Sequence, residues 1–196
     1  ELTKDEKENG IDTSKNFYVP YDKGDKDGNR WYLETPFAIA WSKENVQFLK
    51  TDPRARYQGY TFYFREGFCW IDVNSTYLKA RLKGNGVFDV LSMSLFSMNQ
   101  IPDWYYVSLI NSELISLYVD NFVNNTSHFQ INDARQLPIV IPNLKILNKI
   151  EQLCKEAICL KKDSFSSLVD RTTAEEKLLA LQRDLDYYVQ AELYGI

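Results

Sequence analysis

The stretch Ser127–Pro142, SHFQINDARQLPIVIP, separates two parts of the chain that have different hydrophobic patterns. The chain before it alternates short aromatic and β-branched runs with turn residues, whereas the chain after it repeats apolar residues at helical spacing. Pro138 and Pro142 disfavour helix at the residue that precedes each of them. The next helix is therefore predicted to start only after Pro142, with Asn143 as its N-cap.

Two series of apolar residues recur at spacings of four and three in residues 143–196. They are Ile146, Ile150, Leu153, Ala157 and Leu160, and then Ala174, Leu178, Leu181, Leu185 and Tyr188. Thr172 and Thr173 each precede a glutamate by three residues, which is the spacing of a capping box. We predict an antiparallel helical hairpin with a shared apolar seam, serving as a spacer or as a docking surface.

The residues before the join predict short strands followed by helix. Strands are expected in NFYVPY, FAIAW, QGYTFYF, FCWIDV and GVFDVLS, and helix in IPDWYYVSLINSELISLYVDNFV. Asp103 is the expected cap of that helix, and Asn111–Ser112 is a point at which it can divide. The expected fold class is α+β: a twisted, mostly antiparallel sheet or a partial barrel with packed helices, followed by the hairpin. Residues 1–16 form a polar, mobile tail, 17–142 the main domain and 143–196 the hairpin.

The charge distribution excludes a globally basic nucleic-acid binder, because the formal net charge is −4. Residues 17–83 nevertheless carry eleven Lys and Arg against eight Asp and Glu, and residues 84–142 carry one Arg against five acids. Fields act locally once salt screens them, so the basic first half can form a patch.

Residues that could form an active site are scarce. His128 is the single histidine, which leaves no partner for a zinc site or a His-containing triad. The glycine turns KGDKDG and KGNG lack the spacing of a phosphate loop. The three cysteines show no metal-type spacing and are interpreted as reduced thiols of a cytoplasmic protein. We expect no catalytic site, no bound cofactor and no membrane segment here. The chain begins without Met, as a piece of a longer protein would.

Basic, amide and aromatic side chains instead form three clusters that fit nucleic-acid binding. They are Lys23, Lys26 and Arg30 beside Trp31; Arg54 and Arg56 beside Tyr57 and Gln58; and Lys79, Arg81 and Lys83 at alternate positions. Alternate residues of an extended strand share one face. Lys and Arg bond phosphate oxygens, and Arg, Gln and Asn pair with base edges in the major groove.

Five segments in order resemble the Taq-like target recognition domains of adenine-specific DNA methyltransferases. The segments are YDKGDKDGNRWY, YFREGFCWIDV, GVFDVLSMSLFS, YYVSLINSELISLYV and HFQINDARQLPIVIP. In that family a Y-x-K-G-G…R-W-Y segment precedes F-K-E-G-I-T-W, F-D-V-x-G-S-S-x-F, L-L-x-L-L-N-S-K and F-Q-V-G-D-I-K-N-L-P-I. The resemblance covers residues 17–142, and the helical tail is similar to the spacer helices of type I specificity subunits. This sequence differs in its acidic turn KGDKDGN, in VLSMSLF without glycine, and in Asn132 where the family prefers glycine.

The resemblance implies recognition of double-stranded DNA in a restriction–modification or phage-defence system of type II, IIG or BREX kind. An N-terminal methyltransferase domain of the same parent chain would flip an adenine and methylate its N6 with S-adenosylmethionine, with or without an accompanying endonuclease. The residues expected to position the backbone are Lys23, Arg30, Lys79 and Arg81. Those expected to read bases are Arg56, Tyr57 and Gln58, and the wider set of DNA contacts adds Arg54, His128 and Gln130.

Two other interpretations remain open. One is a type I-like specificity-subunit fragment that acts mainly by docking a protein through its helices. The other is a small hydrolase or carbohydrate-binding domain built on the aromatic residues. For the join itself, Gln130, Asp133 and Arg135 are expected to fix the exit of the chain from the fold, and a DNA contact from His128 or Gln130 is the alternative.

Overall fold

In the computed structural model, short strands and helices precede Pro142 and two long helices follow it. The structure describes residues 1–25, 27–35, 37–73 and 77–196. The strands are β1 (Tyr18–Asp22), β2 (Ala38–Ala40), β3 (Gly67–Ile71), β4 (Ala80–Lys83), β5 (Val87–Phe88) and β6 (Ser92–Leu95). The helices are α1 (Lys4–Asn9), α2 (Lys43–Thr51), α3 (Asp103–Ile110), α4 (Glu113–Tyr118), α5 (Ile131–Ala134), α6 (Leu144–Phe165) and α7 (Arg171–Tyr187).

The strands form two three-stranded sheets, in the orders β2-β1-β5 and β4-β3-β6. All neighbours are antiparallel except β1 and β5, which are parallel. The register of the second sheet pairs Trp70 with Ala80 on one side and with Met93 on the other. The predicted α+β fold with a mostly antiparallel sheet, packed helices and a C-terminal helical hairpin is therefore confirmed, with its strands divided between two small sheets.

The second sheet has one apolar face, which packs against α3 and the hairpin. Phe68, Trp70 and Ala80 on this face belong to the same buried cluster as Tyr105 and Leu109 of α3. The hairpin adds six buried residues to that cluster: Ile150, Leu153, Cys154, Ala157, Leu185 and Val189. The hairpin thus completes the main core, because its apolar stripe covers the sheet-bound helix as well as closing on itself.

The helix termini follow their capping residues. The Asn143 side chain accepts the Ile146 N–H at 3.0 Å, which confirms that α6 starts after Pro142. The cap of α7 is Asp170, whose carboxylate accepts the Thr173 N–H at 2.9 Å, so the expected capping boxes at Thr172 and Thr173 are wrong. An aspartate one position before the first helical residue already satisfies this donor.

The helical region after β6 does divide at Asn111–Ser112. Ser112 caps α4 by accepting the Ile115 N–H at 3.4 Å. Asp103 is not the cap of α3: Pro102 holds that position, and the Asp103 carboxylate accepts the Ser97 N–H at 2.9 Å. The short loop before the helix supplies a donor that competes for this side chain.

The first sixteen residues differ from the expected mobile tail. Thr3 and Glu6 form a capping box that starts α1. Ile11 is buried in a second, smaller core with Val19, Trp41, Val46 and Val87. The indole N–H of Trp41 donates to the Glu6 and Lys7 carbonyls, at 3.2 Å each. This polar segment is held in place because Ile11 packs in the core beside the buried Trp41, and the end of α1 bonds the Trp41 indole.

Two further segments differ from the sequence prediction. Residues of QGYTFYF form a 3₁₀ turn at Tyr60–Phe62 instead of a strand. Gly59 begins this turn with φ of +71°, a left-handed conformation that glycine adopts without strain. Helix α2 has no counterpart among the predicted elements; Ser42 caps it by accepting the Asn45 N–H at 3.2 Å.

Candidate nucleic-acid interface

The loop that follows α2 carries Arg54, Arg56 and Gln58 as exposed side chains. Arg54 pairs with Asp52 of the same loop at 3.3 Å. This contact is local and exposed, so it stabilises the chain little and leaves the guanidinium available. The Gln58 backbone carbonyl accepts the Tyr63 hydroxyl at 3.4 Å. Two long donors, Arg54 and Arg56, and the Gln58 amide thus stand on one surface loop, although the sequence analysis expected Gln58 in a strand.

A cluster of aromatic rings packs against this loop. Tyr57 stacks on Tyr60 with ring centroids 5.0 Å apart and an interplanar angle of 2°. Its ring also meets Tyr63 edge-on at 5.7 Å and lies 6.4 Å from Trp41. Burial raises the pKa of Tyr57 above its usual value. Tyr57 therefore packs under the loop while Arg56 and Gln58 beside it are exposed, and base readout by Tyr57 stays a prediction.

The turn after β1 is organised by two aspartates. The Asp25 carboxylate accepts the backbone N–H groups of Asp27, at 3.0 Å, and of Asn29. The Asp22 carboxylate accepts the Gly24 N–H at 3.1 Å. Asp22 and Asp25 therefore stabilise this turn, in which the family has two glycines.

Lys23 lies exposed on the same turn, at the rim of a cleft of about 540 Å³. Its ammonium is 6.0 Å from the centroid of the Phe37 ring. Its contact with the DNA backbone stays a prediction. Lys26 of the same predicted cluster lies outside the residues that the structure describes.

Arg30 is directed inward, toward the hairpin, and is not an exposed backbone contact. Its Nη1 donates to the Gln182 side-chain oxygen at 2.9 Å. Its guanidinium lies 4.3 Å from the centroid of the Tyr77 ring. Burial lowers the pKa of Arg30. A residue of the turn thus joins the sheets to α7.

Arg81 is the clearest correction to the predicted interface. Its side chain is 2% exposed and donates to the Asp22 carboxylate at 2.8 Å. Lys83, on the same face of β4, is also buried and lies 4.6 Å from the centroid of the Phe88 ring. The alternation does place both residues on one face, but that face turns toward the first sheet, not toward solvent. Neither side chain can position DNA from there.

Two further buried residues, Cys69 and Lys83, lie near this ion pair between the sheets. Cys69 is opposite Arg81 in the ladder, and its thiol lies 3.5 Å from the Asp22 carboxylate. Burial raises the pKa of the Cys69 thiol to about 12 and lowers that of Lys83. A thiol that stays protonated at neutral pH is a poor nucleophile, so this cluster is structural.

His128 and Gln130 lie at the start of the join and are both exposed. His128 Nδ1 is 2.9 Å from the Asp72 carboxylate, and Val73 bridges to His128. The Asp133 carboxylate accepts the Gln130 N–H at 2.8 Å. His128 therefore ties the join to the end of β3.

Asp133 is the residue that fixes the join. Its carboxylate also accepts from the Asn124 amide at 3.2 Å. The Arg135 side chain donates to Asn132, three residues before it, at 3.1 Å. The architectural role expected of Gln130, Asp133 and Arg135 thus rests mainly on Asp133 and its bond to Gln130, which form a capping box at the start of α5.

Among residues 1–25, 27–35, 37–73 and 77–196, no group of three His, Cys, Asp or Glu side chains is placed to hold a metal ion. In the same part of the chain, every helix is too short or too polar to cross a bilayer.

No protein-family model matches this sequence, and no curated protein matches it either.

Proposed function

We propose that this chain is a sequence-specific recognition domain for double-stranded DNA, belonging to an N6-adenine methyltransferase of a restriction–modification or phage-defence system. One observation carries the proposal: Arg54, Arg56 and Gln58 project from a single exposed loop that stands on stacked tyrosines. Arg and Gln are side chains that pair bidentately with guanine and adenine edges in the major groove.

Base readout requires long hydrogen-bond donors on a backbone segment that is held in place. A side chain that pairs with a base edge loses rotamer freedom, and a mobile backbone would add a further entropic cost. The stack of Tyr57 on Tyr60 and the edge contact with Tyr63 hold the backbone of this loop in place. Lys23, exposed on the turn after β1, supplies a backbone contact.

The proposal assigns chemistry and cofactor to another part of the parent protein. S-adenosylmethionine and the flipped adenine would belong to an N-terminal methyltransferase domain, and this chain would supply the duplex contact opposite it. The compartment that this implies is a bacterial-type cytoplasm, where host DNA and incoming phage DNA both lie.

The test is selection of bound duplexes from a random pool at low salt, followed by fluorescence anisotropy with the enriched site. Arg56→Ala and Gln58→Ala should each weaken the selected site by about 1–3 kcal/mol and relax one base position. Binding of an unrelated duplex should change little with Gln58→Ala. The control is Lys177→Ala on α7, an exposed residue outside the loop.

The proposal fails if selection enriches no sequence and duplexes do not bind at low salt. Binding of oligosaccharides instead of DNA would revive the carbohydrate-binding alternative. The variants should fold normally in every case, since both side chains are exposed and exposed substitutions change stability by about 0.5 kcal/mol or less.

A further inference from the structure

A second group of cations surrounds an open cleft of about 350 Å³ between the β1 turn and the hairpin. Its walls come from three places: Gly28–Trp31 of the turn, Tyr77 and Lys79 before β4, and Lys161 with one face of α7. No pattern in the sequence joins Lys161 to this turn, because the two are separated by more than a hundred residues.

Hydrogen bonds and close packing between the walls hold the cations close together. Lys161 Nζ donates to the Asn29 side-chain oxygen at 2.9 Å. A Cβ added to Gly28, where φ is +63°, would lie 3.0 Å from Lys79 Nζ, so the lysine crosses directly over the turn. Arg30 lies beneath, and its buried Nε has no hydrogen-bond partner among the described residues.

Three acids lie near these cations, and each of them also bonds other groups. Asp25, which attracts Lys161, accepts the backbone N–H groups of Asp27 and Asn29. Glu175 is on the wall of the cleft, but that carboxylate already accepts from Arg171 at 3.1 Å. Asp186, which attracts Arg30, also accepts the Glu113 N–H at 2.8 Å. Burial lowers the pKa of both Arg30 and Lys161, because an apolar environment disfavours the charged form.

We propose that this cleft binds one phosphate group, held directly by Lys79 and Lys161 over the buried charge of Arg30. Resting on the proposed DNA recognition, the phosphate belongs to the backbone of the bound duplex, so α6 is part of the DNA contact as well as of the core. A free phosphorylated small molecule offers the same chemistry, and the experiment separates the two sources.

The experiment uses the variants Lys79→Gln and Lys161→Gln, with Lys177→Gln on α7 as the control that leaves the cleft intact. Glutamine removes the charge and keeps a donor for Asn29. Each lysine charge removed should reduce the slope of log affinity against log salt by about 0.9 for duplex DNA. Between 50 and 200 mM salt the unmodified protein should then lose about 3.5-fold more affinity than either variant.

Isothermal titration with pyrophosphate provides the second readout. The proposal expects binding by the unmodified protein and by Lys177→Gln, and no binding by either cleft variant. If duplex DNA does not bind but pyrophosphate does, with the same dependence on both lysines, the site is supported, its ligand is a small molecule and the DNA proposal fails. If both variants keep the full salt slope and pyrophosphate binding is absent or unchanged, the site is overturned, whatever the Arg54–Gln58 loop does. Lys79→Gln keeps the test decisive if Lys161→Gln should fail to fold.

Discussion

Arg81→Met separates the structural role of this residue from the DNA contact that its sequence context predicts. Arg81 is 2% exposed and its partner Asp22 is 13% exposed, with 2.8 Å between the guanidinium and the carboxylate. Methionine fills much of the same volume and removes the charge. The Asp22 carboxylate, which also holds the Gly24 N–H at 3.1 Å, is then left without its cation.

The expected cost is large because one partner of a buried ion pair is removed. Breaking such a pair costs about 3–5 kcal/mol, since the remaining charge stays desolvated. Domains of ordinary stability have about 5–15 kcal/mol in total, so the loss is a substantial fraction. For a urea m-value of about 2 kcal/mol/M, the unfolding midpoint should fall by about 2 M.

Urea unfolding followed by tryptophan fluorescence measures this shift. The control Arg56→Met, at an exposed position, should stay within about 0.5 kcal/mol of the unmodified protein. The double variant Arg81→Met, Asp22→Asn should recover part of the loss, because the unpaired charge is gone while the introduced amide oxygen can still accept the Gly24 N–H. A loss below about 1 kcal/mol for Arg81→Met, together with weaker duplex binding, would refute the buried-pair argument and restore Arg81 as a DNA contact.

Leu185→Ala should lower the free energy of unfolding of the whole chain by about 2–5 kcal/mol, because Leu185 is buried in the core shared by sheet and hairpin. Leu168→Ala, at a position 76% exposed, is its control in the same unfolding assay, and equal small effects would mean that the hairpin is an independent unit. Of the three thiols only that of Cys159 is exposed, and burial raises the pKa of the other two to about 12 and about 11. A thiol-reactive dye at pH 8 should therefore label one cysteine in the native protein and three in denaturant. Lys15 and the Thr3 cap lower the pKa of Glu6 from 4.5 to about 2. The contribution of Glu6 to folding stability is therefore complete above pH 4.5 and is lost as pH falls toward 2. The indole signal of Trp41 in NMR spectra should shift over that range, and Glu6→Gln should abolish the shift.

The division into a strand-containing part and a C-terminal hairpin, and the positions of several boundaries, could be predicted from sequence, because they depend on neighbours a few residues away. Pro138 and Pro142 disfavour helix before Pro142 through backbone sterics, and the hydrogen bond accepted by the Asn143 side chain then starts α6. The four-and-three spacing of apolar residues predicts the hairpin for the same reason, since side chains four apart share a helix face. Thr172 and Thr173 failed as capping residues because Asp170 lies just before them and offers a stronger acceptor.

The directions in which the basic side chains point were decided only by tertiary structure. Period-two spacing places Arg81 and Lys83 on one face of β4, but it cannot say whether that face meets water or another sheet. Asp22 lies 59 residues away from Arg81, and only the packing of the two sheets brings the charges to 2.8 Å. The same holds for Lys161, which α6 carries to the β1 turn. Local sequence determined many of the strands, helices and turns through short-range sterics and hydrogen bonds. The burial of a charge, and therefore its availability to DNA, depends on long-range contacts between elements.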